Sequence, residues 1–169
     1  FLINAIYLKA EWSESFDHRR TQDMPFNLQD GSRIEHPVMY REGEFQYLNR
    51  PGFQAAYLPY GKNGRIGLYI FLPAPDQILN DFYGQLNSSN WASWMDSFSK
   101  TEGTVGLPRF KYEYEATLND VLKSLGMELA FAESAADFSA MRAVPPNLYI
   151  DKVQHKAFVE VNEEGTEAA

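Results

Sequence analysis

Hydrophobic residues run together or alternate with polar residues along much of this chain, in stretches of the length typical of β-strands. Residues 1–9 are apolar except at Asn4, Tyr7 and Lys9, and this pattern predicts a first strand that is buried on both faces. Five shorter strands are predicted after it, over residues 24–28, 34–40, 44–48, 53–60 and 65–72. Short glycine-containing turns separate several of these segments, so we expect neighbouring strands to be antiparallel.

Helical spacing of apolar residues replaces the strand pattern in the middle of the chain. A first helix is predicted after Asp76, which is suited to be its N-cap, and a second amphipathic helix over residues 90–98. A third helix is predicted between Thr117 as its N-cap and Gly126 as its terminating residue. The aromatic residues of the second helix are interpreted as core-facing side chains rather than as a cofactor site.

Two long strands are predicted on either side of the third helix, over residues 104–114 and 148–161. Proline cannot donate a hydrogen bond to a sheet, so Pro108 in the first of them and Pro37 earlier in the chain each indicate a sheet edge or a break. Strands, then helices, then strands, joined by tight turns, predict an α+β fold with antiparallel sheets. The length of 169 residues is sufficient for one domain with a hydrophobic core.

Charge and composition exclude several classes of protein. The net charge of −8 makes nucleic acid and anionic membrane surfaces poor partners, so we expect neither to be bound. The absence of cysteine excludes disulfides, thiol redox motifs and thiolate metal sites. One basic run, His18-Arg19-Arg20, is interpreted as a solvated loop, with a heparin-type anion patch as the alternative.

Catalytic chemistry has little support in this sequence, and we predict neither an enzyme nor a bound metal or cofactor. The three histidines, His18, His36 and His155, have no metal-ligand spacing, and no GxSxG or phosphate-binding motif is present. A hydrolase on an α+β scaffold and a β-rich binding module are the competing interpretations. Asn4 and His155 each lie in an apolar stretch, where a polar side chain needs a hydrogen-bond partner, and each could satisfy the other.

Four segments, in order along the chain, together resemble the serpin family of serine protease inhibitors. They are NAIYLKAEW at residues 4–12 with Phe16 after it, LPRFK at 107–111, the stretch from LKSLGM at 122–127 to ADFS at 136–139, and HKAFVEVNEEGTEAA at 155–169. Ala10 stands where the family often has glycine. The four segments occur in the family's order and together extend along the whole chain.

The resemblance implies the serpin fold, with a large mixed central β-sheet, further antiparallel sheets and surrounding helices. Residues 1–169 are expected to be part of a single serpin domain, a fragment that lacks the family's N-terminal helices and C-terminal strands. Residues 162–169 are expected to begin the hinge of the reactive loop, and the bond that a protease cleaves is expected beyond Ala169. The compartment is left open, with an extracellular location favoured.

The resemblance also implies a serine-type endopeptidase inhibitor that acts as a suicide substrate. The partner is expected to be a serine protease, or alternatively a cysteine protease, which becomes covalently linked as an acyl-enzyme when it cleaves the loop. The cleaved loop then inserts into the main sheet as a new strand and distorts the protease. The protein is expected to be a monomer that is capable of loop-sheet polymerisation. The alternative is a serpin-fold carrier or chaperone without inhibitory activity.

Three groups of residues are expected to serve this mechanism. Asn4 and His155 are assigned to a polar cluster where the sheet opens. Trp12, Arg109 and Glu163 are assigned to the region where the loop first enters the sheet. The hinge itself is assigned to Glu163, Glu164, Gly165, Thr166, Glu167, Ala168 and Ala169.

The hinge is expected to be able to insert because its inward-facing side chains are small. Side chains alternate along a strand, so Thr166 and Ala168 are expected to face inward and Glu167 outward. Small inward side chains can pass between existing strands without overpacking the interior. Gly165 is expected to give the backbone the freedom to turn at the start of the hinge.

Overall fold

The computed structural model describes residues 4–28, 30–75, 77–143 and 145–169. Residues 1–3 of the predicted first strand and the predicted N-cap Asp76 therefore lie outside the described residues. The chain forms two compact units. The larger unit comprises Tyr7–Phe110 and Glu160–Glu167, and the smaller unit comprises Phe1–Ile6, Lys111–Val159 and Ala168–Ala169.

Strands and helices follow one another in the α+β order that the sequence predicts. The strands are β1 (Leu8–Glu11), β2 (Gln22–Asn27), β3 (Arg33–Arg50), β4 (Phe53–Tyr60), β5 (Ile66–Pro73), β6 (Ser99–Pro108), β7 (Phe110–Thr117), β8 (Gln154–Val161) and β9 (Gly165–Ala168). The helices are α1 (Leu79–Gln85), α2 (Ser88–Met95) and α3 (Asn119–Leu122), with short 3-10 or π turns at His18–Arg20, Lys123–Met127 and Glu128–Phe131. Within the described ranges, no helix is long and apolar enough to cross a membrane.

The larger unit is built on a five-stranded antiparallel sheet. Its strands follow the order β2-β3-β4-β5, and β6 pairs with β3. β3 is one strand of 18 residues where the sequence predicted two strands, 34–40 and 44–48. The strand is continuous because β6 pairs with both halves of it, and Gly103 lies opposite Gly43 in the middle of the ladder. Pairing with a distant strand thus overrides the local break that the sequence suggested.

The two prolines occupy different positions in this sheet. Pro108 is the last residue of β6 and marks a break before β7, as predicted. Pro37 lies within β3, opposite Asp23 of β2. The ladder between β3 and β6 begins one residue later, at Val38, so Pro37 has a strand neighbour on one side, as an edge residue does.

Helices α1 and α2 pack against this sheet and form an aromatic core. Its buried residues are Leu48, Phe53, Ala55, Phe82 and Trp94, with Phe71, Met95 and Phe98 packed around them. The Phe53 ring centroid lies 4.8 Å from that of Trp94 and 5.4 Å from that of Phe82, both in edge-on geometry. The apolar residues of the second predicted helix therefore serve packing, as the sequence analysis inferred.

Two helices begin at residues other than those predicted. α2 begins at Ser88 because the Asn87 side chain accepts a hydrogen bond from the Asn90 N–H at 3.0 Å and so caps the helix. Thr117, the predicted cap of the third helix, is instead the last residue of β7, and Leu118 occupies the N-cap position of α3. Gly126 adopts a φ of 100°, the left-handed conformation expected of a residue that ends a helix.

The last long strand is shorter than its prediction over 148–161, because β8 begins only at Gln154. The backbone groups before it are bonded outside any sheet. The Ile150 N–H donates to the Ala130 carbonyl at 2.9 Å, and the Val153 N–H donates to the Asn119 side chain at 2.8 Å. A loop and the start of α3 thus take the hydrogen bonds that a neighbouring strand would have taken.

The first strand also differs from its prediction. In the described part of the chain it covers only Leu8–Glu11. Ile6 and Tyr7, which were predicted to be buried, are 80% and 60% exposed. Residues 4–7 have no strand partner among the described residues, so this apolar stretch is not covered.

A four-stranded sheet has the strand order β1-β9-β8-β7. β9 therefore lies between β1 and β8. The residues that the sequence analysis assigned to the hinge of a loop thus include a strand that is paired on both sides.

We expect the aromatic core to dominate the stability of the larger unit. Phe82→Ala should lower the free energy of unfolding by about 3–5 kcal/mol, because the Phe82 ring is buried among aromatic neighbours. Its neighbour in α1, Tyr83, is 55% exposed, and Tyr83→Ala should change the free energy by about 0.5 kcal/mol or less. Urea denaturation of both variants would measure the difference, and equal losses would contradict this assignment of the core.

Candidate functional site

A tight turn connects β8 to β9 and sets the position of the predicted hinge. The Asn162 side-chain oxygen accepts hydrogen bonds from the N–H groups of Glu164 at 3.0 Å and Gly165 at 3.2 Å. The Asn162 N–H donates to the Gly165 carbonyl at 3.0 Å. Asparagine is suited to this position because its short side chain can bond to the backbone two and three residues later. The turn therefore directs β9 back along β8.

β9 approaches the backbone of β1 unusually closely at Gly165. A Cβ atom at this position would lie 2.1 Å from the carbonyl oxygen of Ala10 and 2.8 Å from the Cα of Glu11. The Trp12 N–H donates to the Glu164 carbonyl at 2.9 Å just before this approach. Glycine is required here for close packing of two backbones.

Trp12 lies beside the turn and is almost completely buried. Its indole N–H donates to the Asn162 carbonyl at 2.8 Å. Its ring stacks on Tyr60, with 4.5 Å between centroids and 16° between planes, and the Phe16 ring packs against it edge-on at 6.1 Å. Trp12 therefore links the end of β1, the end of β4 and the turn before β9.

Thr166 and Glu167, neighbours in β9, have different surroundings. The Thr166 side chain is buried, and its hydroxyl lies 2.5 Å from the Tyr60 hydroxyl. Glu167 is half-buried, and its carboxylate accepts a hydrogen bond from the Tyr7 hydroxyl at 2.9 Å. Burial raises the pKa of Tyr60, while the hydrogen bond with Thr166 lowers it, and the net shift is upward. Tyr60 therefore remains protonated and able to share a hydrogen bond with Thr166.

Glu163 is a buried carboxylate at the tip of the turn. One of its oxygens accepts a hydrogen bond from the Thr21 hydroxyl at 2.6 Å. The other, Oε2, has no hydrogen-bond donor among the described residues and lies 3.6 Å from both Arg109 Nε and His18 Nδ1. The residue is 1% exposed. A buried carboxylate needs such partners to remain ionised.

The charge of Glu163 is stabilised by its surroundings. Burial raises the pKa of this carboxyl, but the Thr21 hydroxyl, a backbone amide and the charges of Arg109 and His18 lower it. The net shift places its pKa below the ordinary value of 4.5. Arg109 is held beside Glu163 by its backbone, because its N–H donates to the Pro37 carbonyl at 3.0 Å and its carbonyl lies 2.5 Å from His36 Nε2. Arg109 and Glu163, which the sequence analysis grouped, are thus neighbours.

Asn4 and His155 are both exposed in the smaller unit. Both residues are described, and no hydrogen bond joins them; the His155 ring instead lies 6.4 Å from the Tyr114 ring. The structure therefore does not bring this predicted polar cluster together, and its role in sheet opening stays a prediction.

The basic run at His18–Arg20 is largely neutralised by its own neighbours. Arg19 pairs with Asp17 at 2.8 Å, and Arg20 pairs with Glu42 at 2.6 Å. Hydrogen bonds from Arg19 lower the pKa of Asp17 to about 2. This pairing favours the solvated-loop interpretation over an anion patch. Across the described ranges, no three His, Asp or Glu side chains are grouped as metal ligands.

Tyr60 and Thr21 belong to this site but were not predicted from the sequence. Tyr60 closes an apolar strand just before a glycine turn, where an aromatic residue is ordinarily read as core. Thr21 follows the basic run, and nothing in its local sequence marks it as the partner of a carboxylate 142 residues later. Both contacts join distant segments, so local pattern carries no signal for them.

Comparison with known proteins places the chain in one family. The family model described as "Serpin (serine protease inhibitor)" matches residues 1–169. Human (Homo sapiens) Serpin B11 is 39% identical over 99% of this chain and 43% of its own length. A cleaved serpin, Serpin 42Da, superposes with a TM-score of 0.79 at 32% identity, over 96% of this chain and 44% of that structure. A loop-inserted, cleaved ovalbumin mutant superposes with a TM-score of 0.83 at 26% identity, over 96% and 43% respectively. The chain thus spans less than half the length of these relatives.

We expect Gly165→Ala to displace β9 from β1, because the added Cβ would overlap a backbone carbonyl that cannot rotate away. The free energy of unfolding should fall by about 1–3 kcal/mol in urea denaturation. Gly84 in α1 offers a matched control, because nothing lies within 4 Å of a Cβ there, and Gly84→Ala should not destabilise the protein. Equal stability of the two variants would show that the close approach is absent.

The low pKa of Glu163 predicts a pH-dependent contribution to stability. A carboxyl whose pKa is lower in the folded state stabilises the fold above its ordinary value of 4.5, and the contribution is lost as pH falls through the folded-state pKa. Glu163→Gln should therefore lower the free energy of unfolding by about 1–3 kcal/mol at pH 7, with a smaller difference from the parent at pH 3.5. Glu164→Gln, at the neighbouring exposed position, is the control. A Glu163→Gln difference that is constant with pH would contradict the assigned ionisation.

Proposed function

The chain belongs to the serpin family, and we propose that the domain containing it is an inhibitor of serine-type endopeptidases that acts as a suicide substrate. Residues 1–169 form part of a single serpin domain in this proposal, and residues 162–169 are the start of its reactive-loop hinge. The protease cleaves the loop beyond Ala169 and becomes acyl-linked to it. The cleaved loop then extends β9 into the sheet and carries the protease with it.

The observation that carries this proposal is the place of β9 between β1 and β8. An inhibitory hinge must be able to become a strand of the sheet, and this segment is accommodated there with hydrogen bonds on both sides. The Phe158 and Ala169 backbones exchange hydrogen bonds at 2.7 and 3.0 Å, at the end of β9. The similarity to a loop-inserted, cleaved ovalbumin mutant supports the same interpretation.

The side chains of the hinge are compatible with insertion. Gly165 fits against the β1 backbone, and Thr166 fits a buried position beside Tyr60. A bulky or charged side chain at Thr166 would be buried without a partner. These residues support an inhibitory serpin over a serpin-fold carrier or chaperone, in which the hinge has no need to insert.

The proposed inhibitor has a protease as its partner, and polar residues near the sheet control insertion of its loop. The partner is a serine protease, or alternatively a cysteine protease, held in a covalent complex. The protein is a monomer, and loop-sheet polymerisation results when the loop of one molecule inserts into the sheet of another. Trp12, Arg109 and Glu163 hold the turn where the loop enters. Asn4 and His155 control opening of the sheet. An extracellular location stays a prediction.

The test of this proposal uses the full-length protein. Mixing it with trypsin-, chymotrypsin-, elastase- and subtilisin-like proteases should give a complex that survives SDS, and cleavage of the loop should raise the unfolding temperature. Thr166→Arg should reduce the trapped fraction at least about tenfold, because an unpaired charge would be buried. Thr104→Arg, at an exposed position of β6 outside the hinge, is the matched control and should trap protease normally.

Three results would separate the alternatives. Cleavage without a complex, together with a rise in unfolding temperature, indicates insertion too slow to trap the protease. Cleavage that gives no complex and no rise in unfolding temperature indicates a carrier or chaperone. Normal trapping by Thr166→Arg would show that position 166 is not inward-facing during inhibition.

A further inference from the structure

The hydroxyl group of Tyr60 lies in a buried environment beside β9. It is the last residue of β4, it is 7% exposed, and its ring stacks on Trp12. Trp12 is itself fixed, because its indole N–H bonds to the Asn162 carbonyl in the turn before β9. The stack therefore holds the Tyr60 ring in one orientation, with its hydroxyl directed at β9.

The hydrogen bond of this hydroxyl depends on β9. Its partner is the Thr166 hydroxyl at 2.5 Å, in a buried environment. If β9 left the sheet, the Tyr60 hydroxyl would lose this partner while its ring remained packed on Trp12. A buried hydroxyl without a partner is unfavourable, so the hydrogen bond favours the state in which β9 is a strand of the sheet.

Tyr57, the other tyrosine of β4, also has a hydrogen-bonded hydroxyl, but its partner does not lie in β9. The Tyr57 hydroxyl donates to the Gly64 carbonyl at 2.9 Å, within the hairpin that connects β4 to β5. That hydrogen bond joins residues seven positions apart and does not involve β9. Tyr57 therefore contributes equally whether or not β9 is in the sheet, and it is a matched control.

We propose that Tyr60 is the positioning residue that selects a hydroxyl-bearing side chain at position 166 when the hinge inserts into the sheet. This inference rests on the proposed function and assigns to Tyr60 a role in it. The site accepts serine in place of threonine, because serine keeps the hydroxyl. It discriminates against valine, which has the shape of threonine without the hydroxyl and leaves the Tyr60 hydroxyl unpartnered.

A double-mutant cycle in the full-length protein tests this role. Tyr60→Phe and Thr166→Val should each slow loop insertion after cleavage by about three- to tenfold, the rate equivalent of one buried hydrogen bond. The double variant should be no slower than either single variant, because the two changes remove the same hydrogen bond. Thr166→Ser should insert at nearly the parent rate, and Tyr57→Phe should not change it. Insertion is followed by the fluorescence of a probe on the loop, and its extent by the rise in unfolding temperature after cleavage.

The outcomes separate this inference from the proposed function. Additive effects of the two variants, or insertion by Thr166→Val at the parent rate, would overturn the role of Tyr60 even if the parent traps proteases. A parent protein that inserts its loop without trapping a protease would refute the proposed inhibition, while non-additive variants would still support Tyr60. A parent that shows no insertion would refute both.

Discussion

The arrangement of the candidate site depends on the close approach of two backbones at Gly165. A side chain there would occupy the space of the Ala10 carbonyl, so β9 can lie against β1 only because this residue is glycine. The close approach is stabilised by the backbone N–H of Trp12, which donates to the Glu164 carbonyl. The Asn162 side chain, which bonds to the backbone of the turn, stabilises it as well. With the backbone fixed in this way, the side chains on either side of Gly165 have defined surroundings. Glu163 is directed into a buried position beside Thr21 and Arg109, and Thr166 is directed to Tyr60.

Polar contacts hold β9 more than apolar burial does. Strand β4 is anchored by the buried side chains of Phe53 and Leu58, whereas the one buried side chain of β9 is that of Thr166. A strand of four residues with little apolar burial is held mainly by its hydrogen bonds, and such segments belong to the less stable parts of a fold. Low local stability with little apolar burial is what a segment needs in order to enter or leave a sheet. The five-stranded sheet has the opposite character, because it packs on a buried aromatic core.

Membership of the serpin family gives this contrast a functional meaning. The same residues that hold β9 in the sheet determine how favourable insertion is, and insertion is the step that the proposed inhibition uses. Tyr60 belongs to the five-stranded sheet and Trp12 stacks on it, and the polar groups of both face the turn or β9. They therefore connect the five-stranded sheet to the segment that is proposed to move, and Thr21 and Arg109 do the same for the buried carboxylate of Glu163.

The sequence by itself determined the local character of the chain. Periodicity identified most strands and helices, Pro108 and Gly126 marked two of their ends, and the four family segments identified the fold and predicted that Gly165 and Thr166 belong to one hinge segment. Only the tertiary structure decided which elements pair. It joined two predicted strands into β3 through β6, left residues 4–7 uncovered, and placed no hydrogen bond between Asn4 and His155. It also brought Tyr60 to Thr166 and Thr21 to Glu163. Side-chain alternation and turn residues depend on neighbours in sequence. The pairing of β3 with β6 joins segments more than fifty residues apart, and the side-chain partners of Glu163 and Thr166 lie more than a hundred residues away, so a local pattern carries no information about them.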